Sequence, residues 1–250
     1  MVIVIVIVIG LVVGSFLNVV IHRLHTGGDI LSDRSKCTQC GKVLAVLDLI
    51  PVISFVWLKG KCRYCQSKLS WQYPIVELTT ALSFVLLALN YGLRITDYGF
   101  WVHAIFACFL IVIAVYDFKH YLILDKVVFP AAILALVYQT VQNNLLWAVL
   151  GALIISGFFA FQYFISKGKW IGFGDVKLGI FLGLLFAESA LWFLIFAYLV
   201  GALVALLLMA FAGKGLRSRV PFGTILGFSA IIFMLYGEAF VRWYYNLLGL

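Results

Sequence analysis

The sequence predicts an all-α polytopic membrane protein of about eight transmembrane helices, with one small cytoplasmic loop domain. Three observations carry that prediction. Hydrophobic residues make up 65% of the 250 positions and charged residues 11%, for a mean hydropathy of +1.13. A globular chain is about half apolar and a quarter charged. Apolar runs of the roughly 20 residues that a helix needs to cross hydrocarbon recur along the chain. They are too long and continuous for barrel strands, which alternate over about ten residues. Finally, the 18 Lys and Arg, against 10 Asp and Glu, crowd into alternate loops. A water-soluble enzyme, a free nucleic-acid binder and a disordered chain are all excluded.

The helices follow in order. The first covers residues 1–22. No basic residue precedes Val2–Ile9, and Gly14-Ser-Phe16 is no small-x-small cleavage site. It therefore reads as an uncleaved helix with its N-terminus outside. Residues 73–91, 99–117, 126–142 and 145–166 supply the second to fifth spans. The sixth, 175–187, is short and interrupted by Gly179 and Gly183, which makes it a candidate part-span. Residues 189–212 and 222–245 complete the set. This division leaves every Lys and Arg except Arg94 and Arg242 on one face, in loops 22–72, 117–126, 166–177 and 213–221. The positive-inside rule makes that face cytoplasmic. Trp101, Trp147, Trp192, Trp243, Tyr244 and Tyr245 lie near helix ends, where they anchor the protein in the lipid interface.

Residues 23–72 form the only sizeable piece outside the membrane. They contain Cys37-Thr-Gln-Cys40 and Cys62-Arg-Tyr-Cys65, two CxxC pairs 21 residues apart. That spacing suits a four-cysteine zinc site, in which each tight turn presents two thiolates to one tetrahedral ion. A redox dithiol is the alternative. Disulfides are disfavoured in the cytoplasm, so structural zinc is the preferred reading. All four positions are filled by protein, which leaves no open coordination site for catalysis. Cys108, mid-helix, reads as packing.

Ionisable residues at membrane depth are functional suspects, because burying them is costly. Asp117 ends the third helix, and Asp175 opens the sixth within Gly172-Phe-Gly174-Asp175. Both lie at the cytoplasmic edge. Two carboxyls sharing a proton can activate a water and protonate a leaving amine. Gly172 and Gly174 would let irregular backbone approach a bound peptide. The bland reading makes Asp175 a helix N-cap, and Asp125 before Lys126 another. Asp117 resists it, since a carboxylate at a helix C-terminus opposes the macrodipole. Glu77, near the cytoplasmic end of the second helix, is a site residue or a snorkelling carboxylate. His22, His25, His103 and His120 are too scattered for a metal triad.

At this point the chain resembles the bacterial type IV prepilin leader peptidases with N-methyltransferase activity, of the GxGD aspartic peptidase family. The resemblance rests on Gly14-Ser-Phe-Leu-Asn-Val-Val-Ile-His-Arg23, the two CxxC pairs, Asp48-Leu-Ile-Pro51 with Ser54-Phe55, and Tyr73-Pro-Ile-Val-Glu77-Leu. It continues through the Asp117 segment to Asp125, then Gly172-Phe-Gly-Asp175-Val-Lys-Leu and Pro221-Phe-Gly223. The motifs run in family order over essentially the whole chain. One departure is Leu122-Ile-Leu-Asp125, where many relatives carry a proline before the aspartate.

The resemblance implies two activities. The protein would cut the basic leader from type IV pilin or pseudopilin precursors at the cytoplasmic face of the bacterial inner membrane. It would then methylate the new N-terminal residue with S-adenosylmethionine. Asp117 and Asp175 match the catalytic aspartates, with Gly172, Gly174, Asp125 and Glu77 as supporting residues. The four cysteines match a zinc-binding cytoplasmic domain. The expected organisation is a first transmembrane helix over 1–22, the four-cysteine loop and methyltransferase part over 23–72, and a peptidase bundle over 73–250. No residue pattern identifies the methyl-donor site: no GxGxxG follows a strand. Two alternatives stand beside this reading. One is a presenilin-like intramembrane protease, against which the cysteine loop and Pro221-Phe-Gly223 argue. The other is a small transporter using the buried aspartates, against which the lack of an inverted repeat of broken helices argues.

Overall fold

The computed structural model describes residues 1–29, 33–212 and 220–248, and among them every regular element is helical. Eight long helices correspond to the eight expected segments. They are α1 (Val2–Thr26), α3 (Gln72–Asn90), α4 (Tyr98–His120), α5 (Asp125–Val141), α6 (Leu145–Ser166), α7 (Phe173–Phe186), α8 (Ala190–Ala212) and α9 (Phe222–Leu248). A single-turn helix, α2 (Ile53–Trp57), lies in the loop after α1. Proline marks two helix starts. Pro74 sits in the first turn of α3 and Pro221 just ahead of α9, positions where a missing N–H costs nothing.

Among the described residues, six segments are long and apolar enough to cross a membrane, one of them running from Phe173 to Phe211 through both α7 and α8. The chain is thus a multi-pass membrane protein. The 17 residues of α5 rise about 25 Å and the 14 of α7 about 21 Å. Both fall short of a hydrocarbon core of about 30 Å, which agrees with the part-span expected for α7. Lys214, Arg217 and Arg219, counted in the expected charge asymmetry, lie outside the described residues.

The chain divides into two compact units, Met1–Cys108 and Phe109–Leu250. In the first, α1 packs along α3 through small residues. A methyl group added at Gly10 would come 2.6 Å from Ala81 Cα, and one at Gly14 would come 2.6 Å from Glu77 Cα. Only hydrogen allows backbones this close. The seam is pinned by Asn18, whose Nδ2 donates to the Tyr73 carbonyl (3.0 Å) and whose Oδ1 accepts from Gln72 Nε2 (3.1 Å). The Gly14–Asn18 motif is therefore a packing device.

In the second unit α7 is almost wholly enclosed. Gly183 faces Gly151 and Ala152 of α6, and Gly179 faces Ser156 and Phe159. Gln139 of α5 donates to the Leu185 carbonyl at 3.1 Å. Phe186, Phe193 and Phe233 close the far end, with ring centroids 4.5, 5.1 and 5.7 Å apart. Helix α9 lies against the last half of α4, where a methyl at Gly227 would meet Ala114 Cβ at 2.9 Å.

Candidate active site and metal centre

Asp117 lies in the last turn of α4 and is 5% exposed. Its Oδ2 accepts the backbone N–H of Thr224 at 2.8 Å and lies 3.2 Å from the Thr224 hydroxyl. That hydroxyl in turn reaches the Ala114 carbonyl at 2.9 Å. The first turn of α9 thus supplies a donor to a carboxylate that its own helix end disfavours. Gly223 makes the approach possible, since a methyl there would come 3.0 Å from both Asp117 Cγ and Oδ2.

Asp175, 7% exposed, occupies the third position of α7 rather than the N-cap, which is Gly172. Its Oδ2 accepts the Gly172 N–H at 2.9 Å, and its own N–H donates to the Gly172 carbonyl at 3.1 Å. The reciprocal pair shapes the Gly172–Asp175 turn and aims the carboxylate. Ile123 lies between the two segments: a methyl at Gly174 would touch Ile123 Cβ at 3.0 Å, and one at Gly223 would touch Ile123 Cδ1 at 3.0 Å. Around that side chain Asp117 and Asp175 come within electrostatic range of each other. Two carboxyls sharing a proton can act as acid and base together.

The other expected residues have separate partners. Asp125 is the first residue of α5 and takes Lys177 Nζ at 2.7 and 2.8 Å on its two oxygens. Lys177 lies two residues past Asp175, so this half-exposed pair ties the start of α5 to the start of α7. Glu77, 6% exposed in α3, accepts the Val52 N–H at 2.7 Å. Thr224 escaped sequence reasoning. Its only signal is its place directly after Pro221-Phe-Gly223.

The cysteines form a compact cluster. The four Sγ atoms lie within 4.8 Å of one another, with Cys37 and Cys65 3.9 Å apart. Zinc–thiolate bonds of about 2.3 Å in a tetrahedron place sulfurs about 3.8 Å apart, so the set fits zinc. The two halves are built alike. Cys37 N–H bonds the Lys42 carbonyl, and Gly41 N–H bonds the Cys37 carbonyl; Cys62 with Ser67, and Gln66 with Cys62, repeat the pattern. Gly41 and Gln66 both take positive φ, 69° and 59°. The turn's backbone N–H groups at Cys40 and Gln39 lower the Cys37 thiol to about 6, making it the readiest thiolate at neutral pH. Cys40 receives help from the Lys42 N–H, yet desolvation and the neighbouring Cys37 and Cys65 thiols push it up to about 11. A bound cation would deprotonate all four thiols.

Fold and sites together define a multi-pass helical membrane protein with two buried carboxyls and a four-cysteine cluster that could hold a metal ion. Residues 8–91 match the Bacterial Peptidase A24 N-terminal domain, and residues 104–213 match the Type IV leader peptidase family. A prepilin leader peptidase/N-methyltransferase of Aeromonas salmonicida is 30% identical over 94% of this chain and 90% of its own. The protein of that name from Bacillus subtilis is 29% identical over 94% of both chains. That of Pseudomonas aeruginosa is 27% identical over 97% of this chain and 93% of its own. The chain belongs to the type IV leader peptidase family. No solved structure matches it.

Proposed function

We propose that the protein removes the leader of type IV prepilins or pseudopilins at the cytoplasmic face of the inner membrane and then N-methylates the new terminus. The observation that carries the peptidase reading is the convergence of Asp117 and Asp175, two buried carboxyls around Ile123. The carboxylate of the pair takes a proton from water as the water oxygen attacks the scissile carbonyl carbon. The protonated partner gives its proton to the carbonyl oxygen. Collapse of the diol breaks the C–N bond, and the amine leaves with the proton taken from water. Gly172 supplies exposed, narrow backbone on which substrate can lie, while Gly174 and Gly223 let the chain close around Ile123.

Family membership and the relatives' shared name support the methyltransferase reading. S-adenosylmethionine, when bound, would supply an electrophilic methyl group to the new terminal amine. Cys37, Cys40, Cys62 and Cys65 would hold a structural zinc that stiffens residues 23–72, with 73–250 as the peptidase bundle. The test incubates purified protein with a prepilin and S-adenosylmethionine. Leader loss and a methylated terminus are expected. Cleavage without methylation would favour a presenilin-like protease, and neither activity a transporter.

A further inference from the structure

The first unit holds a cavity of about 270 Å³ that the peptidase chemistry leaves unused. It lies between the ends of α1 and α3 and the cysteine loop, close to the lower end of the roughly 300–1,000 Å³ of small-molecule sites. Its lining is chemically mixed. Glu77 supplies a buried carboxylate, Arg34 and Lys36 supply cations, and Phe55 and Tyr73 supply aromatic faces. Glu77 is held from both sides, by the Val52 N–H at 2.7 Å and by Ser15, another lining residue. Val52 meets it from a strained backbone, φ 60° and ψ −49°, which a β-branched residue rarely adopts. Strain of this kind persists where surrounding structure imposes it, typically at ligand clamps. A buried carboxylate stays charged only beside a cation or good donors.

We propose that this cavity is the methyl-donor pocket, with Glu77 facing the positively charged sulfonium end of S-adenosylmethionine. The inference rests on the methyltransferase reading and adds the site to it. The donor carries a sulfonium, an ammonium, a carboxylate and a flat purine. The lining offers each a counterpart: Glu77 for the cations, Arg34 and Lys36 for the carboxylate, and Phe55 and Tyr73 for the purine. Aromatic faces also favour a neighbouring onium centre. Asp48 is less suited, because Arg63 Nε at 2.7 Å already neutralises its charge, whereas neither partner of Glu77 carries one.

The test compares two nucleosides that differ in one charge. Full-length protein in detergent is titrated with S-adenosylmethionine and with its neutral thioether, S-adenosylhomocysteine, by equilibrium dialysis. The parent is expected to favour the sulfonium by about tenfold or more, the factor that one modest charge contact provides. Glu77→Gln is expected to bind the thioether within about threefold of the parent while losing the sulfonium preference. A Glu77→Gln protein that keeps the preference overturns the proposal. Should that variant fail to fold, judged by its zinc content, ultraviolet cross-linking of labelled S-adenosylmethionine to the parent decides. Adducts in residues 15–28, 33–44 or 48–77 support the pocket. Adducts confined to residues 109–248 overturn it and leave methyl transfer standing. A parent that binds neither nucleoside and methylates no pilin sinks the methyltransferase reading itself, and the pocket with it.

Discussion

Thr224 presents Asp117 with a seat for either protonation state. Its backbone N–H, 2.8 Å from Oδ2, stabilises the carboxylate. Its hydroxyl has one proton and a nearer acceptor in the Ala114 carbonyl, at 2.9 Å against 3.2 Å for Oδ2. With that proton spent on Ala114, the hydroxyl oxygen is free to accept from a protonated Asp117. On the proposed mechanism, in which Asp117 gains and loses a proton, the group would thus be held in one place throughout.

Replacing Thr224 by Val removes the hydroxyl and keeps the N–H. Cleavage kcat is expected to fall by about fivefold, the value of one neutral hydrogen bond of about 1 kcal/mol, with KM little changed. Thr224→Ser should recover most of the rate. A Thr224→Val protein that keeps the rate while Thr224→Ser loses it, both of normal stability, would show that the methyl group and not the hydroxyl matters.

Asp117→Asn and Asp175→Asn should each lower prepilin cleavage by about a thousandfold or more, because neither amide can cycle a proton. Both should still methylate a pilin supplied without its leader. Loss of methylation together with cleavage, in a folded protein, would mean that the two reactions share these carboxyls.

Asp125→Asn is expected to be mild. Its ion pair with Lys177 is half exposed, with side chains 51% and 26% accessible, and such pairs are worth at most about 1 kcal/mol. Cleavage should drop less than about fivefold, and Lys177→Met with Asp125→Asn should be no worse than either alone. A thousandfold loss in Asp125→Asn would promote it to the reacting pair.

One zinc per chain is expected by elemental analysis. Cys62→Ser should lower the metal content, and a strong chelator should make residues 23–72 protease-sensitive, since folding of such loops is coupled to the metal. Full occupancy in Cys62→Ser protein would rule out the tetrathiolate site.

The eight long helices were legible because each is a predominantly apolar run closed by polar residues, and their observed limits differ from the expected ones by only a few positions. The CxxC pairs were legible because ligand spacing is local. What the sequence hid is long-range. Thr224 meets Asp117 across 107 positions, and Val52 meets Glu77 across 25. No periodicity records such pairings. Asp175 looked like an N-cap because the type of residue is right for one, but Gly172 takes that position and Asp175 folds back on it. Thr224 follows the Pro221-Phe-Gly223 motif and resembles any helix-start threonine until Asp117 is placed beside it.

The glycine seam between α6 and α7 acts on chemistry that it does not touch. Gly183 stands eight residues beyond Asp175, about 12 Å along the helix axis. With backbone against backbone at Gly151 and Gly183, α7 has no slack to roll about its own axis. The bearing of the Asp175 carboxylate is therefore set from the opposite end of the helix, as a shaft is trued at its far journal. A single methyl at Gly183 would push the shaft out of line, and the error would arrive at the reacting pair as a change of angle.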